Sequence, residues 1–367
     1  MLCILEKSDM DIEKYEKRKD SYGRQSLRRI DCTASAREPV AFDCDGVLVD
    51  TAASYDVAIP TTVETLLRMR FGRSPHTADS AGSTLLALRK TGAFNNDWDS
   101  TFAITLLYSV ALTERENREW NEINIARRVD ELVKQFTSRP VKDASGDVIS
   151  FVRGIAGGEL DVVELTDWLS YPGVPPKSVL ATVFDEFYYG SSGFREFYGY
   201  RSKYYDGEGL IKKESLLFDR KLIESIELYS GRKPAIITGR PARGTRMSLG
   251  TLLDMFDLES SVFIGDLDGD SSREAHELRK PGPGALLRCM KSMNTDSITY
   301  VGNSAEDLQM AASARESGYR VWFAGIYGQG SEAMSTLDYF TEEGADMIMQ
   351  DISQLPHMLQ AGSSNSR

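Results

Sequence analysis

The apolar and polar positions of this chain follow three successive patterns after a polar start. A short apolar run at residues 39–42 predicts a strand that ends at a pair of aspartates, Asp43 and Asp45. From residue 51 to residue 215, apolar positions recur mainly at helical spacing. One amphipathic helix is marked by Ile125, Val129, Leu132, Val133 and Phe136. The middle of the chain is therefore predicted to be a helical block.

From residue 216 onward, short apolar runs alternate with helical patterns. Strands are predicted at residues 235–237, 262–264, 298–301, 321–323 and 347–349. Helices are predicted at residues 216–228, 243–255, 285–290 and 305–316, and around Leu355. Such alternation is typical of a parallel sheet that is covered by helices on both faces. The predicted fold class is a doubly wound, parallel α/β core (residues 39–50 and 216–367) with an inserted, mainly α-helical domain (residues 51–215).

Residues 1–38 form a polar N-terminal extension in which acidic and basic residues are mixed. A solvated helix or a disordered leader is the prediction for this composition.

Charge and cysteine usage narrow the functional classes. The formal net charge of −12 disfavours a nucleic-acid-binding surface, because such surfaces are usually basic. No apolar run reaches the length that spans a bilayer, and the start of the chain is too short in its apolar part for a signal peptide. The four cysteines are scattered without CxxC spacing, as in reduced cytoplasmic proteins. We therefore expect a cytoplasmic protein with neither a nucleic-acid nor a membrane partner.

Chemically active residues follow the predicted strands, where ligands bind in a doubly wound sheet. The set comprises Asp43, Asp45, Thr238, Gly239, Arg240, Asn303 and Asp307, with Lys280 at a predicted loop-to-helix junction. A carboxylate can attack phosphorus, and a lysine, a hydroxyl and a metal ion can stabilise the charge of the transition state. Mg²⁺ prefers oxygen ligands. The set suits a phosphate monoester and Mg²⁺.

Four motifs in this chain resemble those of the haloacid dehalogenase (HAD) superfamily. They are DxDGVLxD at residues 43–50, Ile-Ile-Thr-Gly-Arg at 236–240, KPxP at 280–283 and a Val-Gly-x-x-x-x-Asp segment that ends at Asp307. The chain looks most like the phosphoglycolate-phosphatase-like branch of that superfamily, with an enlarged helical cap between the first two motifs. The resemblance covers the core, about residues 39–50 and 216–361.

The resemblance implies catalytic roles for four residues. Asp43 would be the nucleophile that forms an aspartyl-phosphate, and Asp45 would be the general acid and base. Thr238 would bind the phosphate, and Lys280 would hold the nucleophile and the phosphate in place. The hydroxyl of Thr238 is equally well explained as a helix N-cap. An acid at the Asp45 position favours phosphatases and phosphomutases over dehalogenases.

The resemblance also implies a Mg²⁺ site formed by Asp43, the main-chain carbonyl of Asp45, Asn303 and Asp307. One position departs from the family pattern, because most members have Asp where this chain has Asn303. An amide offers an oxygen but no charge, so we expect weaker Mg²⁺ binding unless Asp307 and Glu306 compensate.

Substrate-binding candidates come from two places. Gly239 and Arg240 directly follow Thr238, and Lys90, Asn95 and Asn96 belong to the densest polar and aromatic cluster of the helical block. In the resemblance this block is a cap that closes over the site and determines specificity. Turn formation is an equally good explanation of the cluster in the helical block.

The sequence thus predicts a Mg²⁺-dependent phosphatase of a small phosphorylated metabolite. Two alternatives stay open. One is a phosphomutase on the same scaffold, and the other is a non-catalytic binding or regulatory protein whose metal affinity is weakened by Asn303. Neither the individual substrate nor the oligomeric state follows from the residues.

Overall fold

The computed structural model describes most of the chain. The described residues are 12–20, 23–73, 75, 78–89, 91, 94, 96–114, 122–141, 143–158, 160–267, 269, 272–329 and 333–360. The chain folds as two compact units, residues 1–50 with 215–367 (the α/β unit) and residues 51–214 (the helical unit). The boundaries predicted from the sequence lie within one residue of this division.

Eight strands of the α/β unit form one sheet in the order β1-β2-β10-β9-β8-β3-β6-β7. Their bounds are β1 Tyr15–Lys19, β2 Gln25–Arg29, β3 Val40–Phe42, β6 Ala235–Thr238, β7 Val262–Phe263, β8 Ser297–Gly302, β9 Arg320–Ile326 and β10 Met347–Met349. Strands β10 to β7 in this order are all parallel. A short separate ladder pairs β4 (Val49–Asp50) with β5 (Ser215–Leu216). The predicted doubly wound parallel α/β core is confirmed.

The prediction for residues 1–38 is wrong in the described part. Strands β1 and β2 pair antiparallel with each other, and β2 pairs antiparallel with β10, so this segment extends the sheet. A few side chains of this polar segment make buried contacts within the α/β unit. Tyr15 is buried and its hydroxyl donates to the carbonyl of Ala345 at 2.8 Å, and the buried Arg28 donates to the carbonyls of Cys32 and Ala34. Ala345 lies 330 residues from Tyr15 along the chain, so composition alone did not predict this contact.

Alternating side chains of the central strands pack into two separate cores, one on each face of the sheet. On β3, Val40 and Phe42 join one core, whereas Ala41 joins the other. On β8, Val301 joins the first core and Tyr300 joins the second. Because both faces are buried, the strands have near-continuous apolar sequences. These apolar runs are the reason that the strands could be predicted.

Helices cover both faces of this sheet. They are Arg220–Ser230, Ala242–Leu249, Arg273–Leu278, Gly284–Ser292, Ala305–Glu316, Ala333–Glu342 and Leu355–Gln360. The helix predicted at residues 216–228 is shorter at its start, because β5 occupies Ser215–Leu216 and Asp219 caps the helix by accepting from the amide of Leu222. The helix predicted at 243–255 ends at Leu249 and continues as a 3₁₀-helix over Gly250–Met255.

The described part of the helical unit consists mainly of α-helices. They are Tyr55–Phe71, Ala78–Arg89, Asp97–Thr113, Glu122–Thr137, Ala144–Ile155, Val162–Leu169 and Val179–Tyr198. The helix Asp97–Thr113 is the central one, because every residue from Ser100 to Leu112 is buried. The five apolar residues predicted to mark an amphipathic helix are all buried on Glu122–Thr137. No helix of the described chain is both long and apolar enough to cross a membrane.

Candidate active site

The carboxyl ends of three neighbouring parallel strands bring the candidate residues together. Strand β3 lies between β8 and β6, and Phe42 is in register with Val301 on one side and with Ile236 on the other. The chain leaves β3 for β6 on one side and returns through β8 on the other, so β3 is the point where the strand order reverses. Ligands bind at this kind of position in doubly wound sheets. Asp43 follows β3, Thr238 ends β6, and Asn303 follows β8.

The loop after β3 is a tight turn that carries both aspartates. The amides of Leu48 and Val49 both donate to the carbonyl of Cys44, and the amide of Asp43 donates to the carbonyl of Val301. Gly46 has a φ of +71°, which favours glycine, and a Cβ there would lie 2.1 Å from Nδ2 of Asn303. The side chain of Asn303 therefore packs directly on the backbone next to Asp45.

Lys280 links the two sides of the site. Its Nζ donates to Oδ1 of Asp43 and to Oδ1 of Asp307, both at 2.8 Å. The side chains are nearly inaccessible, with exposed fractions of 11% for Lys280, 11% for Asp43 and 1% for Asp307. One cation thus lies between two buried carboxylates, and Lys280 was the residue that the sequence placed beside the proposed nucleophile.

Asp307 is the most heavily hydrogen-bonded carboxylate of the site. Its Oδ1 also accepts from the hydroxyl of Tyr300 at 2.7 Å. Its Oδ2 accepts from the amides of Asn303 and Ser304 and from the hydroxyl of Ser304, and the Ser304 hydroxyl accepts in turn from the amide of Asp307. This reciprocal pair is a capping box at the start of the helix Ala305–Glu316. Both oxygens of Asp307 are therefore engaged by protein donors.

The ionisation of these groups follows from burial and mutual charge. Burial raises the pKa of Asp43 to about 7; Lys280 opposes this, and the charges of Asp307 and Asp45 add to it. Burial also disfavours the charge of Asp307, but Lys280 and the hydrogen bonds outweigh it and hold the pKa of Asp307 below its usual value. Burial would lower the pKa of Lys280, yet Asp307 and Asp43 together raise it well above the ordinary range. Asp43 is therefore the carboxylate whose ionisation is least favoured.

Thr238 and Arg240 are both buried, and each is hydrogen-bonded within the protein. Thr238 is fully buried, and its hydroxyl accepts from the amide of Arg240 at 3.1 Å. It is not a helix N-cap, because the next helix begins at Ala242 and its N-cap position is Pro241. Arg240, predicted to bind substrate, has a side chain that is only 1% exposed, and its Nε donates to Oδ1 of Asp45 at 2.5 Å. Gly239, between them, is exposed.

The three substrate-binding candidates of the helical unit are placed only in part. Lys90 and Asn95 lie outside the described residues. Asn96 is the N-cap of the helix Asp97–Thr113, and its side-chain oxygen accepts from the amides of Trp98 and Asp99. Of the two explanations of this cluster, the structure therefore gives Asn96 the turn-forming role.

The oxygen ligands at the strand ends fit a hard cation, although together they carry little negative charge. Asp43 has a second carboxylate oxygen beside the one that accepts from Lys280, and the Asn303 side chain lies against Gly46 in the turn after Asp45. The amide oxygen of Asn303 and the carbonyl of Asp45 would complete the ligand set. Asp307 is engaged by Lys280 and by its capping box, so it supports the site through these contacts. Among the described residues, no three or more His, Cys, Asp or Glu side chains cluster as a metal site. A cation here would thus be held mainly by neutral oxygens and one carboxylate.

Three functional side chains were not identified from the sequence. In the sequence, Tyr300 resembles an ordinary strand residue, and Ser304 resembles an ordinary helix cap. Ser248 resembles an ordinary helix residue, but its hydroxyl accepts from Nη1 of Arg240 at 2.6 Å. A Ser-x-x-Asp spacing at Ser304 and Asp307 was the signal that would have predicted the capping box. Nothing in the sequence distinguishes Tyr300 or Ser248.

No protein-family model matches this chain, and no curated protein sequence matches it. Solved structures do. An X-ray structure from the Northeast Structural Genomics Consortium matches 88% of this chain and 98% of its own, with 18% identity and a TM-score of 0.60. The phosphatase Tt82 from Thermococcus thioreducens matches 88% of this chain and 99% of its own, with 21% identity and a TM-score of 0.53. A HAD phosphatase from Thermococcus onnurineus matches 88% and 97% at 15% identity, with a TM-score of 0.40.

The fold of this chain is similar to the folds of the first two of these structures, and its four motifs resemble those of the haloacid dehalogenase superfamily. At these identities the matches establish the fold. The activity has to be argued from the residues of the site itself.

Proposed function

We propose that this protein is a Mg²⁺-dependent phosphatase of a small phosphorylated metabolite. The observation that carries the proposal is the buried Asp43–Lys280–Asp307 cluster at the point where the strand order reverses. A buried carboxylate next to a fixed ammonium is suited to attack on a phosphate, whose transition-state charge the ammonium stabilises.

Two half-reactions follow from these residues. In the first, an oxygen of Asp43 bonds to phosphorus, the bond from phosphorus to the ester oxygen breaks, and Asp45 gives its proton to the leaving oxygen. In the second, Asp45 takes a proton from water, whose oxygen bonds to phosphorus and releases phosphate from Asp43. Lys280 holds Asp43 in position throughout. We expect Thr238, which ends the strand β6 beside β3, to bind a phosphate oxygen.

Mg²⁺ would be held by Asp43, the carbonyl of Asp45 and Asn303, where it would neutralise phosphate charge and orient the phosphate. The acidic residues remaining at the site are few, and this supports a low Mg²⁺ affinity. The same feature favours one rival, a non-catalytic binding protein that retains the fold.

A phosphatase assay separates these possibilities. We expect Mg²⁺-dependent release of nitrophenol from 4-nitrophenyl phosphate, and no release by Asp43→Asn. Asp254→Asn is a matched control, because Asp254 is 65% exposed and pairs with Arg246 instead of a site residue. Retained turnover in Asp43→Asn would exclude Asp43 as the nucleophile.

Two further measurements address the rivals. We expect Asn303→Asp to bind Mg²⁺ more tightly by calorimetry, because it adds a charge to the proposed ligand set. A wild-type protein that binds a phosphate ester but never turns it over at saturating Mg²⁺ would support the non-catalytic alternative. Transfer of the phosphoryl group to an added sugar in place of water would support the phosphomutase. A panel of phosphorylated metabolites then identifies the substrate class.

A further inference from the structure

The side chain of Arg240 is buried and paired within the protein, although Arg240 lies two residues beyond Thr238. Its guanidinium is held from several sides: Nε donates to Asp45 at 2.5 Å, and Nη1 donates to the hydroxyl of Ser248 at 2.6 Å. Its backbone amide is fixed by Thr238. Only 1% of the side chain is exposed, so its charge is directed at Asp45.

Arg240 contacts the more exposed of the two aspartates. The side chain of Asp45 is 35% exposed, three times the exposed fraction of the Asp43 side chain. It projects from a turn in which Gly46 has a φ of +71°. A planar guanidinium fork anchored at a second point restricts the direction of a carboxylate more tightly than a lysine would.

We infer that Arg240 is a positioning residue for Asp45. It orients the carboxylate that protonates the leaving oxygen and later takes the proton of water, and Ser248 keeps the guanidinium in place. This inference rests on the proposed function. It replaces the expectation that Arg240 binds substrate, because a residue that is buried and paired with the acid acts through the acid.

Leaving-group dependence tests the inference. Nitrophenol leaves readily as an anion, whereas unsubstituted phenol needs a proton as its bond to phosphorus breaks. General acid catalysis and correct geometry each contribute on the order of 100-fold to a rate. For Arg240→Gln we expect kcat/KM to fall about 100-fold on phenyl phosphate and less than about 10-fold on 4-nitrophenyl phosphate. Asp45→Asn should show the same selectivity. Arg246→Gln changes an exposed arginine on the helix Ala242–Leu249, which follows Arg240, and should show no loss.

Two variants refine the result. In Asp45→Asn, the additional Arg240→Gln change should cause little further loss on phenyl phosphate, because residues that act through one group are not additive. Arg240→Lys keeps the positive charge but loses the planar guanidinium group, so its activity on phenyl phosphate should lie between those of Arg240→Gln and the wild type. If Arg240→Gln does not fold, Ser248→Ala removes the anchor alone and should give a smaller loss with the same selectivity.

Each other outcome counts against the proposal. Equal losses on both esters, or a rise in KM without a fall in kcat, would mean that Arg240 is a structural or substrate-binding residue. Additive losses in the double variant would mean that it acts independently of Asp45. Absence of any wild-type turnover would overturn the proposed function and this role with it, whereas wild-type turnover with equal losses would overturn the positioning role alone.

Discussion

The buried carboxylate of Asp43 should destabilise the folded protein, and its removal should therefore stabilise it. The pKa of Asp43 is raised from an ordinary value of 3.8 to about 7, with burial as the main cause. The folded state therefore holds this proton more tightly than the unfolded state. As the pH rises from about 4 to about 7, the unfolded state loses its proton first, and the folded state becomes relatively less stable.

The size of the effect follows from the same pKa. A tenfold difference in proton affinity corresponds to about 1.4 kcal/mol, so a pKa raised from 3.8 to about 7 corresponds to about 4 kcal/mol above pH 7. Asparagine resembles the protonated acid and lacks this penalty. Asp43→Asn should therefore be more stable than wild type by a few kcal/mol at pH 8, although we expect it to be inactive. Below pH 4 the two proteins should be equally stable.

Urea unfolding between pH 4 and pH 8.5, in EDTA so that no bound cation stabilises the wild type, measures this difference. The exposed Asp254→Asn should show no such pH-dependent gain. The reasoning would be refuted if Asp43→Asn were less stable than wild type at pH 8. A gain of the same size at pH 4 and pH 8 would also refute it, because the gain would then not come from ionisation.

Three further changes test other contacts. Tyr300→Phe removes a 2.7 Å hydrogen bond to the carboxylate of Asp307 and should lower the free energy of unfolding by about 1.5–3 kcal/mol; an unchanged urea midpoint would contradict this. Gly46→Ala forces a Cβ onto a φ of +71° and against the side chain of Asn303, so we expect a loss of at least about 1–2 kcal/mol by thermal unfolding, which equal melting temperatures would disprove. Asn96→Ala should lose about 1 kcal/mol as a lost N-cap with KM unchanged, whereas Asn96→Asp keeps the cap; a raised KM in Asn96→Ala would instead support substrate contact.

Much of the core could be predicted because its information is local. The strand Met347–Met349 and the helix Ala305–Glu316 have the predicted bounds, since each has its own apolar period and its own end signals. The proximity of Asp43 to Lys280 was implied by the resemblance of the KPxP segment to a motif of the haloacid dehalogenase superfamily.

The tertiary structure alone decided what each polar group does. Tyr15 and Arg28 look like residues of a solvated leader, yet the sheet edge buries them. Arg240 looks like a substrate ligand, yet Asp45 and Ser248 hold it inside the fold. Asp307 was predicted to bind Mg²⁺, and the fold adds protein donors to both of its oxygens. Apolar periodicity records which face a residue presents, whereas a hydrogen bond or an ion pair depends on which distant group arrives opposite it. That information exists only when the chain is folded.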